Sequence, residues 1–166
     1  MSKNEPFIEF LERSREDRAM LAALRRGLGR KPGEAPSMFP YVVQFLPPNS
    51  HADYEANFYR VASLLSLHPV SASSGNMVLH LRKLAGAQAD DAATERRFVQ
   101  LLNQHIESID IPLRQHITLL RGSDIAVNWH QLFYDLKFWD HDAHFVQKQW
   151  ADAFWRKQQT EKSNET

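Results

Sequence analysis

The sequence predicts an all-α fold, a compact bundle of roughly seven to nine helices, and three observations carry that prediction. Apolar residues recur at helical spacing in one window after another. No stretch alternates apolar and polar residues over the length of a strand. Glycine and proline are scarce, six and eight in 166 residues, together about 8% where average usage is about 12%. So few breakers favour long helices over a turn-rich sheet.

Each element has its own signal. Phe7, Phe10 and Leu11 form a short first stripe. Ser14-Arg15-Glu16-Asp17 has the capping-box form, a hydroxyl followed three residues later by a carboxylate. It predicts a second helix that buries Met20, Leu21 and Leu24 and ends at Gly27 or Gly29. Pro32, Pro36, Pro40, Pro47 and Pro48 make the next stretch a loop with one helical turn around Tyr41 to Phe45. Ser50-His51-Ala52-Asp53 is a second capping-box pattern, followed by Tyr54, Phe58, Val61 and Leu65 on one face.

Pro69 to Gly75 reads as a polar loop, and Met77, Leu81 and Leu84 mark a helix stopping at Gly86. A longer helix from about Asp91 turns Phe98, Leu101, Leu102 and Ile106 inward. Pro112 suits the first turn of the next, which carries Leu113, Ile117 and Leu120 and ends at Gly122. Asn128 is positioned to cap a helix with Trp129, Leu132, Phe133 and Leu136 inward. Asp140 or Asp142 opens the last, which buries Phe145, Val146, Trp150, Ala153 and Phe154. The expected organisation is a single helical domain over residues 1–160 with a frayed polar tail at 161–166. The Pro-rich stretch before Asn49 and the loop near Ser71 are the places where two small lobes would part.

Composition removes several function classes. With no cysteine, there is no disulfide scaffold, thiol nucleophile, iron–sulfur site or cysteine-ligated zinc. Twenty Lys+Arg balance twenty Asp+Glu, so a nucleic-acid partner has to be met by a local patch. The start lacks the apolar stretch of a signal peptide, and no apolar run approaches the roughly 20 residues of a membrane span. The expected setting is the cytoplasm, without membrane or cofactor. Neither a phosphate-binding glycine loop nor a G-x-S-x-G nucleophile motif occurs.

Cations supply the clearest candidate site. From Arg13 to Lys31 seven Lys and Arg face only Glu16 and Asp17, a local balance of +5. Arg25-Arg26 sits at a helix end and Arg30-Lys31 in the Gly/Pro loop beyond, within reach of phosphates. A cation pair at a helix C-terminus also complements the helix dipole, worth at most about 1 kcal/mol, but that needs one or two charges and not four. Arg82-Lys83 lies opposite Leu81 and Leu84, Arg96-Arg97 opens the Phe98 stripe, and Arg114 and Arg121 share a face with Thr118 between them. Seven helical residues span about 10 Å, enough for separate phosphates on one strand.

Two further clusters compete. All four tryptophans (Trp129, Trp139, Trp150, Trp155) fall in the last quarter at helix-pair spacing, which reads as core; Trp155 alone has the position of a partner contact. His141-Asp142 raises a helical metal-dependent phosphohydrolase as the alternative function. Only Asp152 follows it as a further aspartate, so a polar helix start is the plainer reading.

Leu24-Arg25-Arg26-Gly27-Leu28-Gly29, Pro32-Gly33-Glu34-Ala35-Pro36 and Phe39-Pro40-Tyr41 resemble the N-terminal signature of the CasB family, the small subunit of the type I-E CRISPR surveillance complex, Cascade. The resemblance continues through Leu81-Arg82-Lys83-Leu84, Glu95-Arg96-Arg97-Phe98, Leu113-Arg114, Leu119-Leu120-Arg121, Asn128-Trp129 and Trp150 to Arg156, in the family's order. Asn128 stands where the family commonly has Asp, and His141, Asp142 and His144 match nothing in it. The resemblance implies a non-enzymatic helical subunit that pairs with itself and touches other Cascade subunits. It also implies contact with guide RNA and with target DNA as a single strand or R-loop. It places nucleic-acid contacts on Arg25, Arg26, Arg82, Arg96, Arg97, Arg114 and Arg121; Arg30 and Lys31 join them on the patch argument.

Overall fold

The computed structural model describes residues 5–87 and 91–156. Among them run α1 (Pro6–Arg13), α2 (Arg18–Arg25), α3 (Phe39–Val42), α4 (Ala52–Leu67), α5 (Met77–Ala87), α6 (Asp91–Leu102), α7 (Asp110–Gly122), α8 (Trp129–Lys137) and α9 (Phe145–Trp155), with three short 3-10 turns between. The all-α prediction holds. A single parallel bridge between Ser71 and Val127 is the one β-type pairing among the described residues. The expected tail at 161–166 and the inward side chain of Leu84 lie outside the described residues.

The bundle is organised around α4. Every residue from Asn57 to Ser66 is buried, so the helix is covered all round, which a single-stripe reading of Tyr54, Phe58, Val61 and Leu65 did not anticipate. α1, α2, α3, α7 and α8 pack against it, while α5 lies between α7 and α9. Phe7, Phe58 and Phe133 meet at ring-centroid distances of 5.0 to 6.2 Å, closing the α1–α4–α8 junction. Trp129, Trp139 and Trp150 have no exposed surface. Their indole N–H groups donate to Val70 O, Gln104 O and Asp135 Oδ2 at 3.3, 2.7 and 2.9 Å. The tryptophans are therefore core, with their polar atoms satisfied.

Burying α4 places a polar stripe inside the molecule. Asn57, Arg60, Ser63 and Ser66 recur every third residue and bond to one another along the stripe. Arg60 Nη1 donates to Asn57, Ser63 Oγ donates to Arg60 O at 3.0 Å, and Ser66 Oγ donates to Ser63 O at 2.5 Å. The charge on Arg60 is matched by Asp110 on α7, Nε to Oδ1 at 2.6 Å. A buried guanidinium needs such a partner, since an unpaired one costs several kcal/mol.

Several helix ends differ from the sequence expectation. α2 is capped by Asp17, whose carboxylate accepts from Met20 N at 3.0 Å; Ser14 instead closes α1. α2 also stops at Arg25, before Gly27. At α4 the cap is His51, whose Nδ1 accepts from Asp53 N, and Ser50 Oγ bonds Glu55. α5 passes Gly86 to Ala87. Ile106 is buried in a 3-10 turn beyond α6, not on the helix. Neither Asp140 nor Asp142 caps α9; His144 does so in a left-handed conformation, φ 51°. Asp140 is engaged elsewhere, accepting from Ile106 N at 3.0 Å. Asn128 caps α8 as expected, through Gln131 N at 3.2 Å.

Candidate nucleic-acid interface

The segment after α2 sets the geometry of the interface. Gly27, Leu28 and Arg30 continue in tight turns on Leu24 O, Arg25 O and Gly27 O. Gly29 and Gly33 then take φ of 79° and 87°, a left-handed region where a side chain is strained. The loop lies against two helices, most closely at Gly29. A Cβ on Gly33 would lie 3.8 Å from the Tyr59 ring of α4, and one on Gly29 would lie 3.2 Å from Arg114 Nη1 of α7. The loop is thus laid across α4 and the start of α7, and it brings Arg30 and Lys31 beside Arg114.

From there the cations continue. Arg114 also lines a groove of about 480 Å³ with Arg97, Gln100, Gln115 and Thr118. Arg30, Lys31, Arg114 and Arg97 therefore form a band from the loop over α7 to α6. Arg121 is exposed two turns along α7, Arg96 is exposed on α6, and Arg26 is exposed at the end of α2. Among the described residues none of these seven side chains is paired with a carboxylate, in contrast to Arg60 with Asp110 and Arg156 with Asp152. Along the band from Arg30 and Lys31 through Arg114 to Arg97, unpaired like charges repel each other, and a bound polyanion relieves that repulsion.

Two of the sequence-predicted arginines also make bonds within the fold. Arg25 is exposed, but its Nε donates to Ser66 O at 3.2 Å, tying α2 to the end of α4. Arg82 is half-buried and its Nη1 donates to Ala153 O at 3.0 Å, so it joins α5 to α9 while also lining a groove with Lys83. Each retains guanidinium donors beyond that bond.

His141 and Asp142 form no metal centre: both are exposed in the turn between α8 and α9, where His141 Nδ1 accepts from Ala143 N at 3.1 Å. Among the described residues no three His, Asp or Glu side chains gather as a metal site. Trp155 is 44% exposed, yet its indole donates to Glu95 at 3.0 Å and its ring packs on Phe98. A wider cleft of about 1090 Å³ opens along the Ser71–Asn76 loop; Glu12 there is bonded to His130 and Asp152 to Arg156, with Lys148 also on the lining.

Sequence reasoning passed over Tyr59, Arg60 and Ser63, which form the wall behind the loop. The available signal was the every-third-residue polar series Asn57, Arg60, Ser63, Ser66 inside an otherwise apolar helix.

Comparison with known proteins agrees with this architecture. The family model for "CRISPR-associated protein Cse2" matches residues 20–155. The chain is 31% identical over 159 residues to a CRISPR-associated protein Cse2 of Thermus thermophilus, covering 93% of this chain and 91% of that one. It superimposes on crystalline CasB from Thermus thermophilus with a TM-score of 0.81 at 28% identity, over 93% of this chain and 99% of the other. A chain of a CRISPR RNA-guided surveillance complex in its pre-nicking state shares the fold at 23% identity, with a TM-score of 0.78 and 89% of each chain covered. With the family model spanning the chain from α2 to α9, the protein belongs to the Cse2, or CasB, family of CRISPR-associated proteins.

Proposed function

We propose that this protein is a non-catalytic small subunit of the type I-E CRISPR surveillance complex, Cascade, and that its basic band holds nucleic-acid backbone. Family membership supports the assignment, as does the fold shared with a chain of a CRISPR RNA-guided surveillance complex. The observation that carries the site is the unpaired series Arg30, Lys31, Arg114 and Arg97 laid across three elements. In an RNA-guided complex the sequence is read by base pairing, so a subunit beside the strands needs contacts to phosphate and sugar. Cations on a packed loop and two helices supply them without a catalytic group.

Arg26, Arg96 and Arg121 extend the band, while Arg25 and Arg82 hold adjoining elements and offer their remaining donors. The partners are guide RNA, the target as a single strand or R-loop, neighbouring subunits and a second copy of this chain. The whole chain acts as one helical unit in the cytoplasm. None of its described helices is long and apolar enough to cross a membrane.

Reconstitution tests the reading. A complex assembled with this chain is expected to hold target DNA more tightly and to keep the displaced strand protected from single-strand nuclease. Omitting the chain, or supplying it with Arg30, Lys31, Arg97 and Arg114 changed to Gln, weakens both while the guide RNA stays bound. Equal target affinity and equal protection with and without the chain would refute the assignment.

A further inference from the structure

Beneath the loop that carries Arg30 and Lys31 lies a cavity of about 230 Å³. We infer that it receives one unstacked nucleobase from a single strand whose phosphates lie on Arg30, Lys31 and Arg114; the inference rests on the nucleic-acid reading above and adds a base-binding site to it. Size comes first. A cavity of about 150 Å³ holds a benzene molecule, so this one has room for a single mono- or bicyclic base and none for a stacked pair.

The distribution of chemistry follows the shape of a nucleotide. Leu28, Met38, Tyr59, Leu64 and Ile111 give the walls apolar and aromatic surface suited to a ring face. Glu107, Asp110 and the Ser63 hydroxyl add acceptors, which match the amino and imino donors on a base edge. Asp110 is already held by Arg60 at 2.6 Å, so Glu107, exposed at the rim, is the carboxylate free to accept.

Charge fixes the orientation. Arg30, Lys31, Arg60 and Arg114 face Glu107 and Asp110, leaving the lining at +2 overall. The carboxylates repel a phosphate from the interior, and the three unpaired cations attract it to the opening. Base in and phosphate out is the arrangement that satisfies both. At the mouth, Ile111 is 64% exposed, a large apolar side chain in water that an inserted base would cover.

Chemical-shift mapping on the isotopically labelled full-length protein tests this. Ribose 5-phosphate is expected to shift Arg30, Lys31 and Arg114 alone. Cytidine 5′-monophosphate shifts the same residues and also Ser63, Leu64 and Ile111, and binds about 5- to 150-fold more tightly, as base stacking on protein surfaces does. Ile111→Glu, at an exposed position, removes the second set of shifts and the affinity difference while leaving the ribose 5-phosphate response. A thymidine tetranucleotide reproduces the cavity shifts and adds Arg97, marking the ligand as a strand. Equal maps for the nucleotide and the sugar phosphate would overturn the inference. So would a tetranucleotide that moves Arg97 and the rim but leaves Ser63, Leu64 and Ile111 in place, although the phosphate band would then stand. No response at the rim to any of the three probes would overturn the band itself.

Discussion

Replacing Arg30, Lys31, Arg97 and Arg114 together by Gln should change how single-strand binding responds to salt, by an amount the structure fixes. Each cation that neutralises a phosphate on a single strand contributes about 0.7 to the slope of log K against log salt. Four unpaired cations in one band therefore account for a slope of about 2.8. Between 0.05 and 0.2 M salt, that part of the affinity falls about 50-fold in the native protein and is retained in the variant. Fluorescence anisotropy on a labelled oligothymidylate, repeated across that range, reads the slope directly. None of the four side chains is in an ion pair among the described residues, so each substitution stays within about 0.5 kcal/mol of native stability and the helical circular dichroism is unchanged. Changing Arg25 and Arg82 to Gln is the contrast. It deletes bonds to Ser66 O and Ala153 O, costs about 1 kcal/mol of stability apiece, and leaves most of the slope. A folded quadruple variant with the native slope would refute the reasoning.

Asp135 is buried and accepts from Trp150 Nε1 at 2.9 Å and Gln131 Nε2 at 2.8 Å. Asp135→Ala strands the indole donor in the core and should lower the urea-unfolding free energy at pH 7 by about 1–3 kcal/mol. Gly29→Ala forces a side chain into φ 79° against Arg114. It should cost about 1 kcal/mol or more and weaken oligonucleotide binding, read by melting temperature and anisotropy on one sample. His80 is pushed down to about 4 by burial, with Lys83 adding to the effect, and Asn128 N donates to its Nε2 at 3.1 Å. The unfolded chain takes up this proton below about pH 6.5 while the folded protein refuses it until about 4. His116 is lowered in the same direction, chiefly by burial. The stability these two histidines contribute is therefore full above about pH 6.5 and is lost as pH falls below it, for His80 down to about 4. A His80→Gln variant should show a shallower decline across that window.

What could be read locally was legible in the sequence. The Asn128–Gln131 cap, the α7 stripe of Leu113, Ile117 and Leu120, and the tryptophan core all follow from residues within one or two turns of each other. The misplaced helix ends have long-range causes or near-equal local options. Ser14 and Asp17 are both good caps, and the chain uses one to leave α1 and the other to enter α2. Asp140 reads as a cap for α9 until the fold delivers Ile106 N to it across 34 residues. The same holds for the site. Arg30, Lys31 and Arg114 are visible as cations, but only the packing of a glycine loop on α7 brings them together. Arg82 has the spacing of a solvent-facing residue and is claimed by a carbonyl of α9. Arg60 has no local signal of its pairing, because Asp110, which matches its charge, lies 50 residues on in another helix.

The most direct test of the functional assignment is native co-purification. The chain carries a tag in cells that express their CRISPR guide locus, and the particle that travels with it is sized and its contents identified. The account predicts a large assembly holding several other proteins, two copies of this chain and RNA of uniform length. A small, RNA-free species from the same cells would contradict it.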